Sequence, residues 1–337
     1  MSRRTGLAVG LASLLGAALF PLLVTRPTWQ NTAILMLMTA QLGVAWNILG
    51  GYAGQVSLGH AAFFGTGAYV STLLSMRLGV SPWAGMLAGG AVAAALSAVI
   101  GWPCFRLKGH YFAMATIAVG EIVQALVNGW EALGGAVGFS LPFAESGLWG
   151  FVWGRSKLPY HYIALGLLLL TLSVNWLVTR SHVGYYLRAI KDEPDAARSL
   201  GVSLGRYKQI AMMLSSALAA MGGTLYAQKE LFIDPGSTLS TSLSIKMALV
   251  AILGGVGTLT GPIVGAVVLT AIEEASRIGF GGTGRGTDLI VYGLLIVVIA
   301  VYQPSGIMGW VARRWPAPGP APTGPPAAGL APEAKPS

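Results

Sequence analysis

The sequence is poor in charged residues and in cysteine. Of its 337 residues, 10% are charged and only Cys104 is a cysteine. An ordinary soluble domain is about a quarter charged, so the polar residues here are too few to cover a soluble surface. The single cysteine excludes an internal disulfide and a cysteine-rich metal site. A disordered chain is excluded as well, because 54% of the residues are apolar and available for burial.

Motifs of soluble enzymes are missing or stand in the wrong context. Residues 201–205 read G-x-S-x-G, but they follow no strand, which a nucleophile elbow requires. No Gly-Lys dipeptide occurs, so the sequence lacks the P-loop that binds ATP. The histidines lack the i, i+4 spacing of a helix-borne zinc site. The sequence therefore predicts neither ATP hydrolysis nor metal or covalent catalysis by this chain.

Apolar segments of membrane-spanning length occur throughout the chain. A helix needs about 20 apolar residues to cross about 30 Å of hydrocarbon. Two of the segments repeat small residues at every fourth position, which lets helices pack closely in a membrane. Two of the ten segments, Leu243–Val256 and Gly261–Ser276, are short, and they are either half-helices or one interrupted unit. The predicted spans are Gly6–Thr25, Thr32–Gly50, Ala61–Met76, Trp83–Trp102, Tyr111–Asn128, His161–Thr179, Gln209–Ala227, Leu243–Val256, Gly261–Ser276 and Asp288–Tyr302.

The predicted fold class is an all-α polytopic membrane protein, a bundle of about 8–10 transmembrane helices with glycine-interrupted segments. Residues 1–30 are predicted as the first transmembrane helix and its outer turn. Residues 31–310 form the main transmembrane domain, which includes a polar loop at 180–208. Residues 316–337 are rich in proline, alanine and glycine, and that composition predicts a disordered tail.

Basic residues indicate the orientation of the chain. Lysine and arginine are enriched in cytoplasmic loops of membrane proteins. With the spans above, Arg3, Arg4, the 180–208 loop and Arg313 all fall on one side. Both termini are therefore predicted to be cytoplasmic. The net charge of +9 is an orientation signal, and nucleic acid is not a predicted partner.

Polar residues within the spans and two glycine-rich breaks are the candidates for a translocation path. Glu121, Gln124 and Asn128 share one helix face by their spacing, and acids inside a membrane are usually functional. The alternative for Glu121 is a structural carboxyl bonded to neighbouring helices. Transporters place solute sites at interrupted helices, but such glycines also form tight turns at the membrane surface. The first glycine-rich break contains Gly50, Gly51, Gly54 and Gln55, and the second contains Gly254, Gly255 and Gly257.

The polar loop at 180–208 predicts two short helices. Tyr186, Leu187 and Ile190 form an apolar face on the first helix. Pro194 is a favourable first residue for the second helix, and Gly201 suits its C-terminal end. Two short helices joined at a proline form a compact docking surface for a soluble partner, whereas the alternative is a loosely held solvated loop. We call residues 181–208 the docking knob.

At these residues the sequence resembles the permease subunits of bacterial ABC importers for branched-chain amino acids. The resemblance extends from about Thr32 to Met308 and depends most on the segment Gly50–Tyr69. Val137 and Lys246 differ from the pattern of that family. Further matching segments are Arg106–Thr116, Gly120–Ile122, Leu187–Glu193, Leu253–Gly257, Gly261–Ala266 and Pro304–Met308.

The resemblance implies a multi-pass subunit of the bacterial inner membrane that is not itself an enzyme. Its implied partners are the lipid bilayer, a second homologous permease subunit, two cytoplasmic ATPase subunits and a periplasmic solute-binding protein. ATP and Mg would be bound by the ATPases, and this chain would hold no cofactor or metal. The residues implied to couple the chain to the ATPases are Gly184, Leu187, Arg188, Ala189, Ile190, Asp195, Ala196, Ala197 and Gly201.

Other functions remain open at this point. Related ABC systems carry urea or short-chain amides in place of branched-chain amino acids. A stand-alone secondary transporter would not need a docking knob, and a proton-coupled one would favour more buried acids than Glu121. A membrane enzyme is disfavoured, because the sequence lacks the required nucleophile and metal-ligand patterns.

Overall fold

The computed structural model describes residues 15–24, 26–107, 109–141, 147, 149–151, 153, 156–279, 290, 293–294 and 306–314. Residues 15–23 are helical and belong to the first predicted span. Most of the last predicted span, Asp288–Tyr302, and the whole predicted tail at 316–337 lie outside the described residues.

Helices account for nearly all regular structure in the described ranges. One pair of short antiparallel strands joins β1 (Phe139–Ser140) to β2 (Phe232–Ile233). A π-helical turn covers Ile48–Tyr52 and a 3₁₀ turn covers Glu131–Leu133. The α-helices are α1 (Pro27–Asn47), α2 (His60–Leu78), α3 (Pro82–Cys104), α4 (His110–Gly129), α5 (Leu158–Arg180), α6 (His182–Asp192), α7 (Pro194–Ser199), α8 (Leu204–Glu230), α9 (Pro235–Thr238), α10 (Thr241–Gly254), α11 (Gly261–Gly279) and α12 (Gly306–Arg314).

Six helical segments in the described ranges are long and apolar enough to cross a membrane. The predicted all-α polytopic membrane fold is therefore confirmed. Helices α2 and α11 lie where spans were also predicted, each with 19 residues, but they are not among these six. The six segments are Pro27–Tyr52, Pro82–Cys104, His110–Gly129, Leu158–Arg180, Leu204–Glu230 and Pro235–Gly254.

Small residues bring α3 and α8 against α2 at the centre of the bundle. A Cβ atom added at Gly89 would lie 3.1 Å from the Cα of Gly67. A Cβ at Gly223 would collide with the backbone carbonyl of Phe64. These positions belong to the small-residue repeats noted in the sequence, and only a missing side chain permits such close backbone approach.

Helix α4 lies at the edge of this bundle. Only 17% of its most apolar stretch is buried, and it exposes large side chains such as Met114, Ile122 and Leu126. In contrast, 78% of the corresponding stretch of α1 is buried. One long apolar helix of the bundle thus presents most of its surface outward.

Candidate functional site

The first glycine-rich segment does not end its helix at Gly50, where the predicted span stops. Helix α1 continues through the π-helical turn Ile48–Tyr52, and the chain leaves helical geometry only beyond Ala53. Gly50 and Gly51 lie inside this turn and are buried. An added Cβ would collide with the Trp46 ring at Gly50 and with the Asn47 side chain at Gly51.

Because Gly50 and Gly51 have no Cβ atoms, the side chains of Trp46 and Asn47 from the preceding turn can pack against them. The helix break predicted at these two glycines is wrong. The break itself begins a few residues later, where Gly54 has a φ of +65°. The neighbouring Gln55 is half-buried and donates from Nε2 to the carbonyl of Ala53 at 3.5 Å. Single-turn π-helices are frequent at functional sites, so this turn remains a candidate.

The second glycine-rich segment is a tight turn between two helices. Gly255 and Gly257 have φ values of +129° and +79°, which favour glycine over residues with a Cβ atom. Thr258 closes the turn through its hydroxyl, which donates to the carbonyl of Gly255 at 2.8 Å and accepts from the amide of Gly261 at 3.0 Å. Gly254 ends α10 and packs against the Gly261 backbone. The two helices are thus interrupted by a glycine turn, and the place of this turn in a translocation path stays a prediction.

The two glycine-rich segments meet through Asn47. Its Oδ1 accepts from the amide of Gly257 at 2.8 Å, and its Nδ2 donates to the carbonyl of Thr258 at 2.9 Å. Asn47 is fully buried. We call Asn47, Gly51, Gly257, Thr258 and Lys191 the break junction. Sequence reasoning missed Asn47, although a polar residue one turn before a glycine pair was a usable signal.

The docking knob forms the two predicted helices, α6 and α7. The Ser181 hydroxyl caps α6 by accepting from the amide of Gly184 at 3.4 Å. Leu187 and Ile190 are buried against the bundle. The apolar face anchors the knob to the membrane helices, and the alternative of a loose solvated loop is not what the structure shows.

The remaining coupling candidates divide into an inner and an outer set. Ala197 is buried, and Ala189 is half-buried. Arg188, Asp195 and Ala196 face outward, as does Gly201, which ends the knob's second helix with a φ of +83°. Exposed charges on an anchored pair of helices can steer and orient a partner of complementary charge.

Lys191 links the docking knob to the break junction. Its Nζ donates to the carbonyl of Gly51 at 2.9 Å. A Cβ atom added at Gly257 would lie 3.3 Å from the same Nζ, and one at Gly54 would lie 3.0 Å from the Lys191 stem. One side chain of α6 thus contacts both glycine-rich segments, which sequence reasoning did not foresee.

The polar face of α4 lies apart from the break junction. Glu121 is exposed and accepts a hydrogen bond from the hydroxyl of Thr241, the first residue of α10. Gln124 donates from Nε2 to the carbonyl of Pro235 at 3.4 Å. Asn128 is exposed. Since Glu121 lies near the middle of α4, the contact places the start of α10 at mid-length of that helix.

A buried polar network holds the extended segment before α2. The Nδ1 of His60 lies 2.9 Å from the Ser57 hydroxyl, and its Nε2 lies 2.8 Å from the Ser215 hydroxyl. The indole of Trp46 donates to the carbonyl of Ser57 at 2.7 Å. His60 is therefore a structural residue. Within the described ranges, no three His, Cys, Asp or Glu side chains are grouped as metal ligands.

Comparison with known proteins places the chain among transport proteins. The family described as "Branched-chain amino acid transport system / permease component" matches residues 28–300. The high-affinity branched-chain amino acid transport system permease protein LivM of Escherichia coli K12 is 31% identical over 88% of this chain and 74% of its own length.

Two further relatives carry the same description. LivH of Escherichia coli K12 is 25% identical over 80% of this chain and 91% of its own length. BraD of Pseudomonas aeruginosa is 24% identical, also over 80% of this chain and 91% of its own length. No solved structure matches. The sequence match covers most of the described bundle and the docking knob, and the chain therefore belongs to the family of permease components of branched-chain amino acid transport systems.

Proposed function

We propose that the chain is the transmembrane permease subunit of an ATP-driven ABC importer that carries branched-chain amino acids across the bacterial inner membrane. The family and the printed names of LivM, LivH and BraD support this substrate class. The observation that carries the proposal is the link from the docking knob through Lys191 to the break junction. A transporter driven by a partner needs such a mechanical connection between its outer surface and its helices.

The proposed partners follow from the family and from the exposed surfaces. The chain is similar to two different permease proteins of Escherichia coli K12, LivM and LivH, which supports pairing with a second homologous permease. Two ATPases would bind ATP and Mg, one of them docked on the cytoplasmic knob of this chain, and a periplasmic binding protein would deliver the solute. Both termini would then be cytoplasmic, as the distribution of basic residues favours.

The translocation path is proposed to run along the polar face of α4. A carboxyl group exposed to lipid at mid-membrane costs roughly 3 kcal/mol, so the exposed Glu121 needs protein or water beside it. The second permease would cover this face, and a path between the subunits would be lined by Glu121, Gln124 and Asn128. The nearby start of α10 adds backbone amides at an interrupted helix, where transporters bind solute groups.

Coupling is proposed to pass through the break junction. Movement of an ATPase would displace α6, and Lys191 would transmit that displacement to the Gly51 carbonyl in the π-helical turn. Asn47 would carry it on to the turn between α10 and α11 through its two hydrogen bonds. Glycines in both segments permit backbone rotation that residues with a Cβ resist.

The direct test is reconstitution in proteoliposomes with the second permease, both ATPases and a set of binding proteins. We expect leucine-loaded binding protein to stimulate ATP hydrolysis and leucine uptake together. Stimulation by urea or short amides alone would assign the alternative substrate class. Leucine uptake that continues without the ATPases would contradict the proposal in favour of a secondary transporter.

A matched pair of variants tests the docking surface. The double variant Arg188→Ala/Asp195→Ala removes two exposed knob charges and is expected to weaken capture of the ATPases at least tenfold. Lys157→Ala is the control, because Lys157 also carries a positive charge but stands at the other end of α5 from the knob, before Leu158. Equal capture by both variants would remove these residues from the interface.

A further inference from the structure

Two stacked arginine–tryptophan pairs stand where membrane-spanning helices end. The guanidinium carbon of Arg106, two residues beyond the end of α3, lies 4.4 Å from the centre of the Trp102 ring. The guanidinium carbon of Arg180, the last residue of α5, lies 4.2 Å from the centre of the Trp176 ring. Both contacts are close enough for a cation–π interaction. We call these two contacts the stacked pairs.

The stacked pairs lie at the knob end of the bundle and on its outer surface. Cys104 ends α3 and Val178 lies in the last turn of α5, and one buried apolar cluster holds both together with Leu187 of the docking knob. The tryptophans face away from this cluster, since Trp102 is 69% exposed and Trp176 is 43% exposed. Both arginines are exposed as well. The stacked pairs are therefore accessible from outside the bundle.

The guanidinium groups of the stacked pairs are oriented but carry unused donors. In the described part of the chain, neither the Arg106 nor the Arg180 guanidinium forms an ion pair or donates to a protein oxygen. A guanidinium has five N–H donors in a fixed fork, and this fork matches two oxygens of a phosphate. Each stacked pair therefore presents a held cation to an anion with paired oxygens.

The surface that leads to each stacked pair is apolar. On α3, Val99 is 72% exposed and stands just before Trp102, and on α5, Leu170 is 44% exposed and precedes Trp176. Such side chains on a membrane helix contact lipid tails, and tryptophan is enriched at the level of the headgroups. Along each helix the order is thus apolar side chains, indole and guanidinium. A phospholipid has the same order of acyl chain, ester group and phosphate.

Anchoring of the helix ends at the membrane surface is a simpler explanation, but it does not require stacking. Arg26 provides a comparison within the chain. It is exposed, precedes α1 at the end of the bundle opposite the knob, and stands three residues before the exposed Trp29. In the described ranges, cation–π contacts occur at Trp102 and Trp176 and not at Trp29. The stacked pairs thus differ from an ordinary arginine at the membrane boundary.

We propose that each stacked pair binds the headgroup of an anionic phospholipid from the leaflet on the knob's side. The guanidinium would donate two N–H groups to the phosphate, and the indole N–H would donate to an ester carbonyl. Basic residues at the ends of membrane helices attract anionic lipids, whereas the cationic group of a zwitterionic lipid would be repelled by the guanidinium. The proposal requires the membrane setting, but it does not depend on the solute or the ATPases of the proposed function.

The test is native mass spectrometry of the full chain, titrated with phosphatidylglycerol and with phosphatidylcholine of the same acyl chains. Two phosphatidylglycerol molecules are expected to bind at least tenfold more tightly than phosphatidylcholine. Equal affinity for the two lipids would overturn the proposal. Glycerol 3-phosphate lacks the acyl chains and is expected not to displace the bound lipid. Displacement at equal concentration would identify a site for soluble phosphates and would also overturn it.

Variants assign the bound lipids to the stacked pairs. Arg106→Gln and Arg180→Gln are each expected to remove one of the two tight sites, and the double variant is expected to remove both. Arg26→Gln is the matched control and should retain both sites, so an equal loss in this control would indicate general attraction by charge and overturn the proposal. Arg106→Lys keeps the charge without the planar fork. It should bind at least fivefold more weakly at its site, and wild-type affinity would contradict the stacked geometry.

Capture of the ATPases, measured on the same variants, distinguishes a lipid site from a protein interface. If the glutamine variants keep both tight lipid sites but lose ATPase capture, the arginines bind a protein and the lipid proposal is overturned. If two lipids bind tightly to a chain that supports no ATP-driven uptake with its partners, the proposed function fails and the lipid sites stand.

Discussion

Replacing Asn47 by leucine tests whether the break junction holds the two glycine-rich segments together. The Asn47 side chain is fully buried and makes two hydrogen bonds, to the amide of Gly257 and the carbonyl of Thr258. Leucine has a similar size and no polar atoms. The substitution therefore removes both bonds without opening a large cavity.

The magnitude depends on the backbone groups that are left behind. A buried donor or acceptor that loses its partner costs about 1–3 kcal/mol, whereas side-chain hydrogen bonds between membrane helices average only about 0.6 kcal/mol. Gly257 is held in a left-handed turn, so its amide cannot readily turn toward another acceptor. Gly257 is half-buried and Thr258 is exposed, so water can replace part of what is lost. We therefore expect Asn47→Leu to lower the free energy of unfolding by about 1–2 kcal/mol.

The assay is denaturant or thermal unfolding of the purified chain in one detergent. Asn47→Asp is the comparison variant, because it retains an acceptor for the Gly257 amide but loses the donor to Thr258 and buries a carboxylate. A buried charge without a partner is costly, so Asn47→Asp should be at least as destabilising as Asn47→Leu. Asn128→Leu is the exposed control and should unfold like the wild type. An Asn47→Leu variant as stable as the wild type would refute the reasoning.

Three further predictions address coupling and packing. Lys191→Met keeps the aliphatic stem but loses the bond to Gly51. Since that bond contributes about 1 kcal/mol, the variant should lower the amount of leucine taken up per ATP hydrolysed about fivefold while it still captures the ATPases. An unchanged ratio of uptake to hydrolysis would contradict the prediction. Gly223→Val should abolish monodisperse expression, because its side chain would collide with the α2 backbone; wild-type yield in size-exclusion chromatography would refute this. His60→Leu loses two buried hydrogen bonds and should lower stability by about 2 kcal/mol, so an unfolding curve that coincides with the wild type would count against the network.

Local signals in the sequence predicted the fold class and the docking knob. Long apolar segments have few structural solutions, because every backbone polar group in lipid must be satisfied within a helix or a closed barrel. The knob was predictable for a similar reason. Pro194 and Gly201 act on their own backbone, and the apolar spacing of Leu187 and Ile190 sets the buried face of one short helix.

The role of the glycines was only partly predictable. Gly255 and Gly257 form the expected turn, since their positive φ values are a local property. Gly50 and Gly51 instead lie inside a helix, where the side chains of Trp46 and Asn47 occupy the space in which their Cβ atoms would stand. That arrangement depends on a π-helical turn, and the same glycine pair is equally compatible with a break.

By itself, the sequence determined the membrane setting, the helical class and the two-helix knob, because each depends on residues within a few turns of one another. Only the tertiary structure decided that Asn47 bonds Gly257, that Lys191 bonds Gly51 and that Lys246 pairs with Glu273. The first two contacts join residues 210 and 140 positions apart. Hydropathy and spacing carry no record of such partners, since these bonds exist only after the helices have packed.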